Sequence, residues 1–207
     1  MSNPWNDISL EDYENHMKLD SVYQLQTISK MMKEQVYTYP VEEIMVLGIA
    51  GGNGLEHVDE DKIKRVYGVD VNSEYLEKCV ERFPQLKDVF VPVCADFVDK
   101  NFDFPSSEMV IANLFVEYVG VDCFTERVSE INPKYISVII QIDESETFVS
   151  DSPYIKSFDV LESIHCQIDR NELIKALEKM KYTQIFEKNE ILPNRKRLIR
   201  LDFKGNN

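Results

Sequence analysis

Apolar residues along the chain fall into short continuous runs, separated by segments of polar or helical character. IMVLGI (Ile44–Ile49), RVYGVD (Arg65–Asp70), VFVPVC (Val89–Cys94), EMVIAN (Glu108–Asn113) and KYISVIIQ (Lys134–Gln141) are rich in Val and Ile and read as buried strands. Between them, NSEYLEKCVERF (Asn72–Phe83) opens on a capping Asn or Ser and sets Tyr75, Leu76, Cys79, Val80 and Phe83 on one helical face. Phe115–Ile131 reads as another helix, ended by Asn132–Pro133. Strand and helix in alternation predict an α/β fold: a parallel sheet covered by helices on both faces, with right-handed crossovers.

Both ends depart from the alternation. Leu10 to Val36 is helical in pattern and precedes the first strand, so residues 1–40 are expected to form a helical cover or lid across the ligand-binding end of the sheet. Within it Met31, Met32 and Val36, at helical spacing from Ile28, read as core packing. At the other end a helix over Asp169–Met180 precedes TQIFEKNEIL (Thr183–Leu192) and RKRLIRLDFK (Arg195–Lys204), an expected antiparallel pair joined by Pro193–Asn194. In the last segment Ile199, Leu201 and Phe203 alternate with Leu198, Arg200 and Asp202, which predicts a half-exposed strand near the sheet edge. No repeat or linker divides the sequence, so residues 1–207 are read as one domain with 41–207 as its core.

Charge and composition narrow the partners. The formal net charge is −14, which repels a polyanion at long range, and Arg195–Lys196–Arg197 reads as an exposed turn before a strand. A small-molecule partner is expected and nucleic acid is not. No apolar run reaches the roughly 20 residues of a membrane span, and MSNPWNDISLEDYENH is unlike a signal peptide; a cytoplasmic location is the expectation. Cys79, Cys94, Cys123 and Cys166 lie far apart without a CxxC, which predicts buried reduced thiols rather than disulfides or a metal site.

The chemistry concentrates in VLGIAGGNG, where four of the seven glycines, Gly48, Gly51, Gly52 and Gly54, follow the first strand. So many glycines point to a loop whose backbone approaches a ligand. GxxxxGK[ST] is absent, GxGxxG fails in every register, and Glu56 beside the loop disfavours a pyrophosphate, so the ligand is expected to carry no phosphate. Asp70 ends the second strand, where a carboxylate can accept hydrogen bonds from both hydroxyls of a ribose; Asn72 and Ser73 already cap the next helix. Asp96, in CADF after the third strand, is suited to accept from the amino group of an adenine.

In order, VLGIAGGNG, GVDVN, CADF and EMVIANLFVEYV resemble the successive motifs of the Rossmann-like (class I) S-adenosylmethionine-dependent methyltransferases, over Ile44 to about Gln141. The resemblance implies a seven-stranded, mostly parallel sheet with an antiparallel last strand, and S-adenosylmethionine as cofactor. It implies cofactor contacts from the loop Gly48, Ala50, Gly51, Gly52, Asn53 and Gly54, with Gly52 and Gly54 flanking the ligand. Asp70 would meet the ribose, Asp96 and Phe97 the adenine, and Asn113–Leu114 the methionine and methyl end, with Val71 and Asn72 also counted among the cofactor-binding residues. The sequence departs from the family in having Gly48 where an acidic residue is usual and Ala50 where a glycine is usual; Glu56 or the N-terminal helix is expected to substitute for the acid. Methyl transfer requires no metal, and HExxH, GxSxG and cysteine–histidine motifs are absent. For an acceptor that must lose a proton, His16, Tyr13, Glu117 and Tyr118 are the candidate bases. NLFVEY lacks the prolines of the enzymes that methylate amino groups in nucleic acids. The expected activity is methyl transfer to a small molecule; the alternatives are an RNA or protein acceptor, or a nucleoside-binding module without catalysis.

Overall fold

The computed structural model describes residues 3–142 and 149–206. Their strands are β1 (Glu43–Leu47), β2 (Arg65–Asp70), β3 (Phe90–Cys94), β4 (Met109–Asn113), β5 (Tyr135–Ile142), β6 (Tyr182–Ile191) and β7 (Arg197–Gly205). They form one sheet in the order β3-β2-β1-β4-β5-β7-β6. The first five are parallel, and β7 runs antiparallel to both β5 and β6.

The two-residue period of the strands sorts the core into two layers. Ile44 and Val46 of β1, with Met109 and Ile111 of β4, pack against Met32 and Val36 of α2 (Gln24–Thr38) and Leu76 and Cys79 of α3 (Ser73–Arg82). Their neighbours Met45, Leu47, Val110 and Ala112 face the opposite way, against Phe124 and Val128 of α5 (Val121–Ile131) and Leu173 and Leu177 of α6 (Arg170–Lys179). Each large apolar side chain removed from water contributes about 1.5–3 kcal/mol, so both faces need their helices. Side-chain caps set where the helices begin. Asn72 Oδ1 accepts from the Glu74 and Tyr75 N–H groups, and Asp169 Oδ1 from those of Asn171 and Glu172.

Several expectations are corrected. The run Phe115–Ile131 is two helices, α4 (Val116–Val119) and α5, because Gly120 takes φ 78° and ψ 158° between them. Val80 is 50% exposed, off the stripe formed by Leu76 and Cys79. Strand β7 lies near the sheet edge as expected, next to the edge strand β6, but it is buried rather than half-exposed: Leu198–Phe203 are all buried. The polar alternation in β7 is real, but α2 covers it. Arg200 donates to Asp202 and to Thr38 Oγ1, while Tyr39 and Ser137 donate to the Asp202 carboxylate. A charged pair is tolerated at this depth because every partner is supplied. Of the four cysteines, all free, only Cys79 is buried; Cys94 and Cys166 are exposed. In the basic turn Arg195 is exposed, whereas Lys196 is buried.

The N-terminal residues divide into two parts. Helix α2 belongs to the sheet: Met31, Met32 and Val36 are buried as expected, and Gln35 donates to Ser137 Oγ on β5 (2.8 Å) and Asn113 Oδ1 on β4 (2.9 Å). The residues before it, a 3-10 turn over Pro4–Asp7 and helix α1 (Leu10–Met17), cross the carboxyl ends of the strands. There Asn72 Nδ2 donates to Trp5 O (3.2 Å), Tyr75 OH donates to Ile8 O (2.7 Å), and Glu14 pairs with Arg82.

Candidate active site

The chain order reverses between β1 and β4, and the crevice beyond the carboxyl ends of such strands is where open α/β sheets bind ligands. A cavity of about 180 Å³ lies there. Gly48 and Ala50 after β1, Asp70 and Val71 after β2, Asp96 and Phe97 after β3, and Asn113 and Leu114 after β4 all line it. Trp5 and Tyr13 close it from the N-terminal side.

Asp70 is fixed by backbone at both oxygens: Oδ2 accepts from the Ala50 N–H (2.9 Å) and Oδ1 from the Asn72 N–H (2.9 Å). Burial nevertheless raises its pKa to about 6. Asp96 accepts from Asn3 Nδ2 (3.1 Å) and from the Val98 N–H (3.2 Å), so the N-terminal segment engages this second carboxylate. Three lining residues hold positive φ: Gly48 (65°), Ala50 (47°) and Leu114 (52°). At Gly48 a Cβ would stand 2.8 Å from Phe115 Cδ2, so backbone shape and space both require glycine there. Ala50 and Leu114 carry left-handed backbone at a cost of about 1–2 kcal/mol each, the kind of strain that clusters at ligand sites.

The rest of the loop turns elsewhere. Gly51 and Asn53 line a smaller recess, of about 30 Å³, together with Glu14, Leu25 and Ile28. Gly52 and Gly54 are not among the lining residues. A Cβ on Gly54 would lie 2.4 Å from Met32 Sδ, and one on Gly52 would lie 2.6 Å from Phe83 Cε2. These glycines let the loop pack closely on α2 and α3. Glu56 accepts from Ser29 Oγ and the Gly54 N–H, on the far side from the cavity. Asn72 is buried, caps α3 and holds the Trp5 carbonyl.

A second cavity, of about 60 Å³, adjoins the first and shares Trp5, Tyr13, Leu114 and Tyr118 with it. All four candidate bases, Tyr13, His16, Glu117 and Tyr118, line it. His16 Nδ1 is 2.8 Å from Ser152 Oγ, and its ring lies 4.7 Å from that of Phe158; burial, then nearby Lys196, lowers its pKa to about 4. Burial raises both tyrosines above the ordinary phenol range. Glu117 Oε1 accepts from the Gln141 N–H (2.8 Å), and burial raises its pKa to about 7. Sequence reasoning missed Asn3, Gln24, Gln141 and Phe158 as site residues. Asn3 and Phe158 lie outside the motifs, and the others sit in elements whose apolar pattern alone drew notice. Among the described residues, no group of three or more His, Cys, Asp or Glu is placed to hold a metal ion, and no helix is long and apolar enough to cross a membrane.

No family model and no curated protein matches the sequence. Solved structures do match. The N-methyltransferase NodS from Bradyrhizobium japonicum, in complex with S-adenosyl-L-homocysteine, aligns at 11% identity and TM-score 0.66, over 98% of this chain and 100% of that one. A geranyl diphosphate methyltransferase bound to S-adenosylmethionine aligns at 11% identity and TM-score 0.64, over 86% of this chain and 84% of that one. The [4+2]-cyclase SpnF aligns at 8% identity and TM-score 0.65, over 87% and 82%. With its 3-2-1-4-5-7-6 sheet, the chain therefore has the class I S-adenosylmethionine-dependent methyltransferase fold.

Proposed function

We propose that the protein is an S-adenosylmethionine-dependent methyltransferase acting on a small-molecule acceptor. One observation carries the reading: a cavity furnished for a nucleoside shares a wall with a smaller cavity lined by proton-accepting side chains. The donor set fits the cofactor. Asp70 and Asp96 supply the acceptors that a ribose and an adenine amino group need, Phe97 supplies an apolar face, and among the described residues no Lys or Arg lines the cavity to attract a phosphate. Asn113 and Leu114 would stand at the methyl end. Helix α1 brings Glu14, paired with Arg82, beside the glycine loop, which supports the N-terminal helix rather than Glu56 as the source of an acid near Gly48.

When bound, the cofactor supplies a methyl group on a sulfonium, which is already a good leaving group. The chain's own residues align the acceptor, exclude water and receive any proton it must lose. Asn3 to Met17 would act as the lid, since these residues close the cavity without belonging to the sheet.

The two methyltransferase structures support the cofactor reading, whereas the cyclase SpnF is named for other chemistry on a similar fold. The test is incubation with methyl-labelled cofactor and three fractions of a cell extract: dialysable small molecules, RNA and protein. Label in the dialysable fraction is expected. Label confined to RNA or protein would overturn the acceptor class, and cofactor binding without label in any fraction would favour a nucleoside-binding module.

A further inference from the structure

The second cavity contains one polar atom with no partner. Glu117 is 4% exposed; its Oε1 takes the Gln141 N–H, while Oε2 has no hydrogen-bond partner among the described residues. The backbone beneath it is fixed: the Glu117 main-chain carbonyl accepts from both the N–H (2.7 Å) and the Sγ (3.1 Å) of Cys166. An unpaired acceptor in such a site costs about 1–3 kcal/mol, more for a charge, and a ligand bearing a donor removes that cost. No Lys or Arg among the described residues lines this cavity, which leaves room for a ligand that brings its own cation.

The walls favour the same chemistry. Trp5 and Tyr118 meet edge to face with centroids 5.0 Å apart, and Phe158 lines the opposite side beside His16. Aromatic rings attract a cation and shelter a hydrocarbon skeleton. Resting on the methyltransferase reading, we propose that this cavity receives the methyl acceptor and that the acceptor is a small primary or secondary amine, its nitrogen held by Glu117 Oε2 among the rings of Trp5, Tyr118 and Phe158. The amine arrives as an ammonium and passes one N–H proton to the Glu117 carboxylate. The nitrogen lone pair is thereby freed, Glu117 becomes neutral, and its proton returns to solvent after the product leaves. Glu117 thus both selects the amine and makes it nucleophilic.

The titratable groups around Glu117 are Tyr13 and His16 from α1, Tyr118 from α4, and His165 and Cys166 from the segment before α6, with Lys196 near the two histidines. Burial keeps the tyrosines protonated and His16 neutral, so Glu117 is the group that changes charge near neutrality.

The test reads binding rather than turnover. Trp5 is the only tryptophan of the chain and lines the cavity, so its emission reports occupancy. Methylamine, butylamine, benzylamine and phenethylamine are titrated against the matched alcohols, with and without saturating S-adenosylhomocysteine. At least one amine should bind tenfold or more tighter than its alcohol. Glu117→Gln should erase that preference while leaving S-adenosylhomocysteine affinity, followed by calorimetry, unchanged and the chain folded, with a cooperative melting transition. Amine affinity of the unmodified protein should fall as pH drops below about 7 and stay flat in the variant. Alcohols binding as well as amines, a preference that survives in Glu117→Gln, or no response to any amine would each overturn the proposal. Absence of S-adenosylhomocysteine binding would instead remove the methyltransferase reading, whatever the amine titration shows.

Discussion

Asp70 and Glu117 are both carboxylates taken out of water, but backbone N–H groups reach both oxygens of Asp70 and only one of Glu117. Their folded pKa values, about 6 and about 7, lie above the ordinary carboxylate range. The folded state therefore binds more protons than the unfolded chain between these values and that range, and this contribution to stability is lost as pH rises through 6 and 7. His16 acts oppositely: its pKa is lowered to about 4, so its contribution is complete above about pH 6.5 and is lost as pH falls. Glu117→Gln isolates one term. Relative to the unmodified protein, the variant should gain about 2–3 kcal/mol between about pH 5 and about pH 8 in denaturant titrations, and a stability difference independent of pH would contradict the burial argument. At Gly54, φ is 99° and Met32 fills the space a Cβ would need, so Gly54→Ala should cost about 2–4 kcal/mol. An unchanged denaturation midpoint would show that the loop can move.

At the scale of elements, α2 and the residues before it are adjacent in sequence yet differently attached. Met31, Met32, Gln35 and Val36 anchor α2 in the core, and Gln35 ties it to both β4 and β5. Helix α1 reaches the glycine loop through the partly exposed pair of Glu14 with Arg82, which also donates to Gly51 O (3.1 Å), and its far end buries Met17 against Ile28 and Met31. Solvent-exposed pairs of this kind contribute about 0–1 kcal/mol, so opening α1 costs chiefly the burial of Met17 and His16, fewer buried side chains than opening α2 would expose. Amide exchange over Leu10–Met17 should slow when S-adenosylhomocysteine binds, while α2 stays equally protected. Equal protection of α1 in both states would make it a fixed wall. The sequence pattern showed both helices, since periodicity reports an apolar face; it could not show which face docks on a sheet. The same limit explains β7. Its alternation of Arg200 and Asp202 with apolar residues was legible, but that the polar face would lie under α2 depends on contacts with Thr38 and Tyr39, far away in the chain.

For the whole molecule, the sites at strand ends were the most legible, because a parallel sheet gathers the residues after each strand at one edge regardless of detail. Asp70, Asp96, Gly48, Ala50 and Asn113 were each marked by a position after an apolar run, and all five line one cavity. Gly52 and Gly54 were marked by the same loop but answer a packing need, which composition cannot separate from ligand approach. The walls contributed by residues 149–168 were invisible, since the regular structure there is a 3-10 helix, Ile155–Ser163, whose pattern matches neither the α-helical nor the strand period. A net charge of −14 and cavities without lining Lys or Arg also suit the molecule to cationic partners, and S-adenosylmethionine and an ammonium are both cations at the reacting end. The central claim is that the larger cavity holds this cofactor, and calorimetric titration with S-adenosylhomocysteine tests it most directly. One saturable site is predicted, with no heat from NAD or ATP. Asp70→Ala should weaken binding by about tenfold to a hundredfold, because each charge-assisted bond to a ribose contributes about 1.5–3 kcal/mol. No heat at millimolar ligand, or unchanged affinity in the Asp70 variant, would contradict the account.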